Sequence, residues 1–327
     1  MKVLLVSNQK LNAKGVGNPI IYKMTDSLSR AEGIEKATFA PFYKTFGFIR
    51  SLRKQATHYD IIHIHFGGMC ALLTWIYLIG IRRPKLVTFH GTDIHAKSIS
   101  TARSYLKKAK IRLNQWASFI CIALYNKSGF VAKEMIPYVP GWMRKRYVDR
   151  FFVQRLGVDY ESMQPEDSSK AIQSLGLPFK KYALFSDWMN AHIKRRDIAR
   201  AIINELNGDY TLLLMSGVPP TDVPHYISAA SFLLLTSDEE GSPNIIRECL
   251  AMNKPVFSVD VGDAKEQLAG LANSCIISRN AKEAAQTIRE HLAQPYTDNT
   301  RESRKAIICF DDLNQKMVNI YQEMLRK

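Results

Sequence analysis

Phe232-Leu233-Leu234-Leu235-Thr236-Ser237-Asp238-Glu239-Glu240-Gly241-Ser242-Pro243-Asn244-Ile245-Ile246-Arg247-Glu248-Cys249-Leu250-Ala251 is the most informative stretch of this 327-residue sequence. Four consecutive apolar residues, apolar on both faces, read as a buried parallel strand. The acidic and small residues after Leu235 read as a loop. Ser242 can then cap a helix, with Pro243 as its first residue, where a missing N–H costs nothing. The N-terminus of that helix points at whatever lies beyond the strand end, and its dipole favours an anion such as phosphate. Glu240 in the loop and Glu248 two turns down the helix are poor company for an anion alone. A ligand that is both anionic and rich in hydroxyls accounts for them, each carboxylate gripping different hydroxyls. A capped surface helix with solvated acids is the plain alternative.

The same alternation of strand and helix extends in both directions. Apolar runs occur at Val3–Val6, Ile61–His65, Leu86–Phe89, Phe119–Ala123, Phe151–Val153, Tyr182–Phe185, Thr211–Met215, Pro255–Val259 and Ser274–Ile277. With Phe232–Leu235 they predict about ten strands. Between them, residues such as Val16, Ile20, Met24 and Leu28 recur at helical spacing, which indicates parallel α/β sheets. Ten strands exceed one comfortable doubly wound sheet, so two domains are expected, and the length agrees. Gly157 to Ser169 is polar and turn-rich, as a linker is.

Several classes are excluded. A hydrophobic fraction of 46% rules out global disorder. Cys70, Cys121, Cys249, Cys275 and Cys309 show no C-x-x-C spacing, so neither a disulfide framework nor structural zinc is expected. The longest apolar stretch, Met69 to Ile81, falls short of the roughly 20 residues a membrane span needs, and reads as a buried helix. Met1 to Ser7 is too short for a signal peptide. A soluble, cytoplasmic setting is the expectation.

The chain carries 45 Lys+Arg against 30 Asp+Glu, a net +15. Residues 1–150 hold 25 of the cations and 7 of the acids, or +18; residues 151–327 hold 20 and 23, or −3. The basic excess belongs to the first half and calls for an anionic partner there: nucleic acid, a phosphorylated ligand or an acidic membrane.

Three further segments lie where ligands bind open α/β sheets, at the carboxyl ends of strands. Lys14-Gly15-Val16-Gly17-Asn18 can bring backbone N–H groups close to an anion, although a plain turn explains it equally well and the full G-x-G-x-x-G pattern is absent. Phe89-His90-Gly91-Thr92-Asp93-Ile94-His95 puts a histidine at a strand end, where it can exchange protons or simply cap the turn. Ile193-Lys194-Arg195-Arg196-Asp197-Ile198 offers three cations for a diphosphate, or an ordinary solvated helix start. His63, His65 and His95 do not make a convincing metal set, and Asp260-x-x-Asp263 reads as a turn.

Glu240-Gly241-Ser242-Pro243-Asn244 followed by Glu248-Cys249-Leu250-Ala251-Met252-Asn253-Lys254-Pro255-Val256 resembles the E-x7-E motif of glycosyltransferase family 4. Val223-Pro224-His225-Tyr226 to Ser231, Gly157-Val158-Asp159, Asp60-Ile61-Ile62-His63-Ile64-His65 and His90-Gly91-Thr92-Asp93 resemble other family elements in order. The resemblance implies a GT-B fold: two Rossmann-like, doubly wound α/β domains facing a cleft. They would be an acceptor-binding domain at 1–165 and a nucleotide-sugar domain at 166–310, with a terminal helix at 311–327 crossing back to the first.

Carried over residue by residue, the resemblance implies His90, Glu240 and Lys194 as catalytic residues. Glu240 would hold the donor sugar's hydroxyls and Lys194 the diphosphate, with His90 close to the reacting sugar. Glu248 would bind the ribose. Ser242, Asn244 and Ile245 would offer backbone N–H groups, and Gly15 and Gly17 would close on the diphosphate. The family's Arg, about six residues before the lysine, is missing from Phe185-Ser186-Asp187-Trp188, so Arg195 or Arg196 is expected to substitute.

The implied reaction is transfer of a hexose from a UDP- or GDP-sugar to a saccharide, with retention, in bacterial cell-surface polysaccharide assembly such as lipopolysaccharide or capsule. No cofactor or metal is implied, because cations and dipoles neutralise the diphosphate. The acceptor is expected to be lipid-linked. Mixed cationic and aromatic stretches at 42–54, 105–112 and 142–147 suggest peripheral contact with the inner, anionic face of the cell membrane. Nucleic acid is not expected as a partner. The rival readings are a nucleotide-sugar epimerase of the same fold and a non-catalytic anion- or nucleic-acid-binding protein.

Overall fold

The computed structural model describes residues 1–9, 20–95, 104–187, 191–295 and 299–326. They form two compact units. The first is built on the chain up to Leu156 together with the C-terminal segment from Phe310; the second is built on Gly157–Cys309.

The first unit holds a six-stranded parallel sheet of β1 (Lys2–Ser7), β2 (Lys36–Pro41), β3 (Ile61–His65), β4 (Lys85–Phe89), β5 (Lys127–Phe130) and β6 (Phe151–Val153), in the order β2-β1-β3-β4-β5-β6. Val3 to Val6 and Ile61, Ile62 and Ile64 are fully buried, as strands covered by helices on both faces must be. The terminal helix Phe310–Arg326 belongs to this unit. It packs on the helix Ile20–Ser29, where Asn314 Nδ2 donates to Ser27 Oγ (2.8 Å) and Ser27 Oγ donates to Asp311 Oδ1 (2.6 Å). Met317, Val318 and Tyr321 are buried in the same core. The return of the terminal helix to the first half is therefore present.

The second unit holds a five-stranded parallel sheet of β7 (Tyr182–Ser186), β8 (Thr211–Met215), β9 (Phe232–Leu235), β10 (Val256–Ser258) and β11 (Cys275–Ile276), in the order β11-β10-β9-β7-β8. Both sheets are doubly wound. Their strand order reverses between β1 and β3 in one and between β7 and β9 in the other, and a crevice opens at such a reversal.

Nine of the ten expected strands are present, and one expectation fails. Phe119–Ala123 is the end of a 20-residue helix, Tyr105–Leu124. A five-residue apolar run suits either element; here Cys121 and Ile122 face the core while Ile120 faces out. Two strands, β2 and β5, escaped the sequence reading. β5 is Lys-Ser-Gly-Phe, with a single large apolar residue. Its Gly129 is needed because a Cβ there would lie 2.5 Å from the Phe152 ring on β6.

Candidate active site

The segments after β7 and β9 meet at the reversal point of the second sheet. After β7 the chain forms two short helices, Ala191–Lys194 and Arg196–Glu205, broken at Arg195, which is left-handed (φ 53°). That conformation costs a non-glycine residue about 1–3 kcal/mol and needs outside support. The loop after β9 supplies it. Thr236 Oγ1 lies 2.9 Å from the carbonyls of both Lys194 and Arg195, and the Asp238 N–H donates to the Ile193 carbonyl (2.8 Å).

The break turns Lys194 towards Glu240. Their side chains pair at 2.6 Å, and each is only about one-sixth exposed (17% and 15%). Ser237 Oγ also donates to Glu240 Oε1 (2.8 Å). The two residues expected to hold diphosphate and sugar are therefore neighbours, each neutralising the other.

The neighbouring cations are matched as well. Arg195 bonds Asp197 (2.8 Å) and Asp238 (3.3 Å), which holds the Asp197 carboxyl below its ordinary range. Arg279 bonds Asp238 (2.9 Å) and the carbonyls of Thr236 and Ser237. Arg196 pairs with Asp187, a buried carboxylate just past the end of β7. The resemblance expects an arginine near that strand end. The chain has an acid there, and the acid holds an arginine. His192, Arg195, Arg196 and Asp197 line a concavity of about 370 Å³.

On the β9 side the helix begins one residue later than expected. Pro243 is the capping residue and Asn244–Ala251 the helix; no side chain caps it. The Ser242 hydroxyl is occupied elsewhere. It donates to Asp263 Oδ2 (2.9 Å) and accepts from Arg247 Nη1 (2.6 Å). Arg247 is fully buried, and its other nitrogen reaches the Ser242 carbonyl (3.2 Å) and Asn244 Oδ1. Gln267 Nε2 donates to Asp263 Oδ1 (2.6 Å). Gly262 (φ +56°) lets the chain pass: a Cβ there would meet the Gly241 carbonyl at 2.7 Å. This knot fixes the turn that aims the first N–H groups of the helix. The Ile245 side chain is buried in the core, so only its backbone is available to a ligand. Asn244 and Glu248 share one helix face, four residues apart.

His90 follows β4 in the first unit. Its Nε2 lies 3.1 Å from His65 Nδ1, and its ring stacks on Phe66 at 3.9 Å. His63 is bonded by Tyr321 of the terminal helix (2.7 Å) and by Thr88 (2.8 Å). Burial pushes all three histidines down, His65 to about 3, so each is neutral at pH 7. Asp93 ties the loop together by accepting from the N–H groups of Gly67, His90 and Gly91 (2.7–3.1 Å); burial nevertheless raises its pKa. Gly15 and Gly17 lie outside the described residues.

Sequence reasoning did not single out Asp187, Arg247, Gly262 or Arg279. The available signal was an arginine at a core position of an otherwise apolar turn, Ile245-Ile246-Arg247.

With this geometry in view, comparison with known proteins is specific. Residues 193–294, the helix break through the far side of the second sheet, match the family described as glycosyl transferases group 1. A relative from Bacillus subtilis (strain 168), TuaC, is named as a teichuronic acid biosynthesis glycosyltransferase. It is 22% identical over 266 residues, which are 74% of this chain and 64% of TuaC, so the match spans less than two thirds of that relative. Two solved structures share the fold. Anabaena Alr3699/HepE in complex with UDP-glucose has a TM-score of 0.71 at 14% identity, covering 99% of this chain and 100% of that one. The catalytic domain of starch synthase IV from Arabidopsis thaliana, bound to ADP and acarbose, has a TM-score of 0.71 at 12% identity, covering 100% of both chains. The two parallel Rossmann-like sheets are thus a GT-B fold.

Proposed function

We propose that the chain is a retaining glycosyltransferase that moves a hexose from a UDP- or GDP-sugar to a saccharide acceptor, one carried on a lipid, in assembly of a bacterial surface polysaccharide. The observation that carries this reading is the 2.6 Å Lys194–Glu240 pair beside the helix start at Asn244, at the reversal point of the second sheet. A nucleotide sugar brings a diphosphate for the lysine and hydroxyls for the glutamate, and it replaces one neutral pairing by two. The backbone N–H groups at Asn244 and Ile245 add dipolar stabilisation where charge builds on the departing diphosphate. Glu248, one turn down the same face, suits the ribose. Arg196, anchored by Asp187, supplies the guanidinium that the strand end itself lacks. His90, held neutral, is proposed as the group nearest the reacting sugar, and the Gly15/Gly17 loop as a further diphosphate contact. The basic first half suits an acceptor at an anionic membrane better than it suits nucleic acid, because the proposed donor groups lie in the near-neutral half.

UDP-sugars are favoured for a first trial by the likeness to HepE in complex with UDP-glucose. A thermal-shift screen across nucleotide sugars tests donor binding, since a bound ligand raises the melting temperature by mass action. The best donor is then supplied with saccharide acceptors and the anomeric configuration of the product is read by NMR. No stabilisation by any nucleotide sugar overturns the reading. Release of an altered nucleotide sugar without acceptor replaces it with the epimerase.

A further inference from the structure

The helix Tyr105–Leu124 in the first unit has its apolar residues on two sides. One side faces the core, with Ala117, Ser118, Cys121 and Ile122 buried. The other faces solvent and should be polar, yet it carries Leu106, Leu113, Trp116 and Ile120, exposed by 84%, 59%, 62% and 46%. With Ala109 these residues repeat at helical spacing and fall within an arc of about 80° at roughly 100° per residue. Lys110 and Arg112 flank the arc, each about 80° from its centre. Lys107 and Lys108 add two more cations, and the helix contains no acidic residue. Its first turns, through Lys110, are exposed on every side.

The other two mixed stretches are used differently. In 42–54, Tyr43 and Phe46 are exposed at the start of the helix Phe46–Ala56 but form no continuing stripe: Phe42 is buried and stacks on Tyr77 (6.0 Å), Phe48 packs edge-on against Phe42, and Leu52 is buried. In 142–147 a single large apolar side chain, Trp142, is exposed; Met143 is buried.

We propose that the outer face of Tyr105–Leu124 is a docking surface for a membrane bearing anionic headgroups. The stripe Leu106–Leu113–Trp116–Ile120 would be immersed at the headgroup boundary, with Lys110 and Arg112 at the phosphates. A helix lying in the interface plane needs this combination of a narrow apolar face and flanking cations. The lysine and arginine stems cover apolar surface while their charged groups stay in the polar layer. Charge decides against a second copy of the chain as the occupant. A symmetric pairing would set these cations against themselves, within a half of the chain that already carries +18 (25 − 7). The inference deepens the membrane part of the proposed function and is independent of the transfer reaction.

The test is co-sedimentation of the full chain with phosphatidylcholine vesicles, with and without phosphatidylglycerol, at low salt. The wild type should pellet with the anionic vesicles and not with the neutral ones. A Leu113→Glu/Trp116→Glu variant should lose at least about tenfold of the bound fraction, and Trp142→Ala should keep most of it. Circular dichroism should show both variants folded, because the altered residues face solvent. Brominated lipid should quench wild-type fluorescence more than that of Trp116→Phe, which reads insertion of that ring directly. Wild type that stays in the supernatant with every vesicle overturns membrane binding altogether. Binding by the double variant equal to wild type overturns this helix as the surface and leaves membrane binding standing. Equal binding to neutral vesicles overturns the part of the argument that rests on charge. A wild-type dimer in sedimentation velocity that the double variant loses assigns the face to self-association instead. Donor turnover in detergent-free buffer should be the same for both variants and wild type, which separates this result from failure of the transferase reading.

Discussion

Replacing Arg247 by methionine should damage the second unit more than any surface change near the proposed site. The guanidinium is fully buried and serves three acceptors: Ser242 Oγ, the Ser242 carbonyl and Asn244 Oδ1. In Arg247→Met the Ser242 hydroxyl keeps Asp263, but the carbonyl and the amide oxygen lose this partner. Both acceptors sit on half-buried residues, so the loss is that of two hydrogen bonds from a charged donor, at about 1.5–3 kcal/mol each or about 3–6 kcal/mol together. Breaking a buried ionic network from one side costs about 3–5 kcal/mol, and the two figures agree. For a unit of this size, at about 2–4 °C per kcal/mol, the melting temperature should fall by about 6–20 °C. Differential scanning calorimetry reads this directly. Arg247→Lys should fall in between, because one ammonium lacks the planar fork that reaches all three acceptors. The donor KM should rise in both, since the turn aiming the first N–H groups of the helix is released. A melting temperature within about 2 °C of wild type in Arg247→Met would refute the claim that this side chain holds the turn together.

Further outcomes are expected. Lys194→Ala and Glu240→Ala should each reduce sugar transfer by at least about tenfold, roughly 1.4 kcal/mol; full activity in both would remove the site assignment. Arg196→Ala should weaken UDP binding in calorimetric titration by about tenfold, and Asp187→Asn by less, because it frees the guanidinium without deleting it. If Arg195→Ala weakens binding and Arg196→Ala does not, the assignment between the two is reversed. Gly262→Ala should cost about 1–3 kcal/mol of stability, since it strains a left-handed residue and pushes its Cβ into the Gly241 carbonyl; urea unfolding measures it. Acid should destabilise the first unit early. A buried histidine whose folded pKa is depressed binds its proton only in the unfolded chain across the window between 6.5 and, for His65, about 3. Stability is therefore full above pH 6.5 and is lost as pH falls, by about 1.4 kcal/mol per pH unit per histidine. Asp93, raised by burial, opposes this with one group. His65→Gln should flatten the slope of urea midpoint against pH between 6.5 and 4, and an unchanged slope would count against it.

The sequence by itself determined the repeating strand–helix alternation, the position of the cations in the first half and the Glu240/Glu248 corner. All three are local: a buried strand announces itself by an uninterrupted apolar run, net charge is a count, and spacing along a helix fixes its face. The tertiary structure decided what depends on residues far apart in the chain. Phe119–Ala123 is a helix because its neighbours offer it a core on one side only, which no five-residue window reveals. Ser242 is not a cap because Arg247 and Asp263, brought together by the turn at Gly262, engage its hydroxyl first. Arg196 stands out among the run of cations because the acid that holds it, Asp187, is buried past the end of another element, whereas the acids on Arg195 are exposed. The outward face of Tyr105–Leu124 is visible as unpartnered only once the core has chosen the opposite side. Composition states which charges and apolar groups a chain has; packing decides which of them are left for a ligand or a surface.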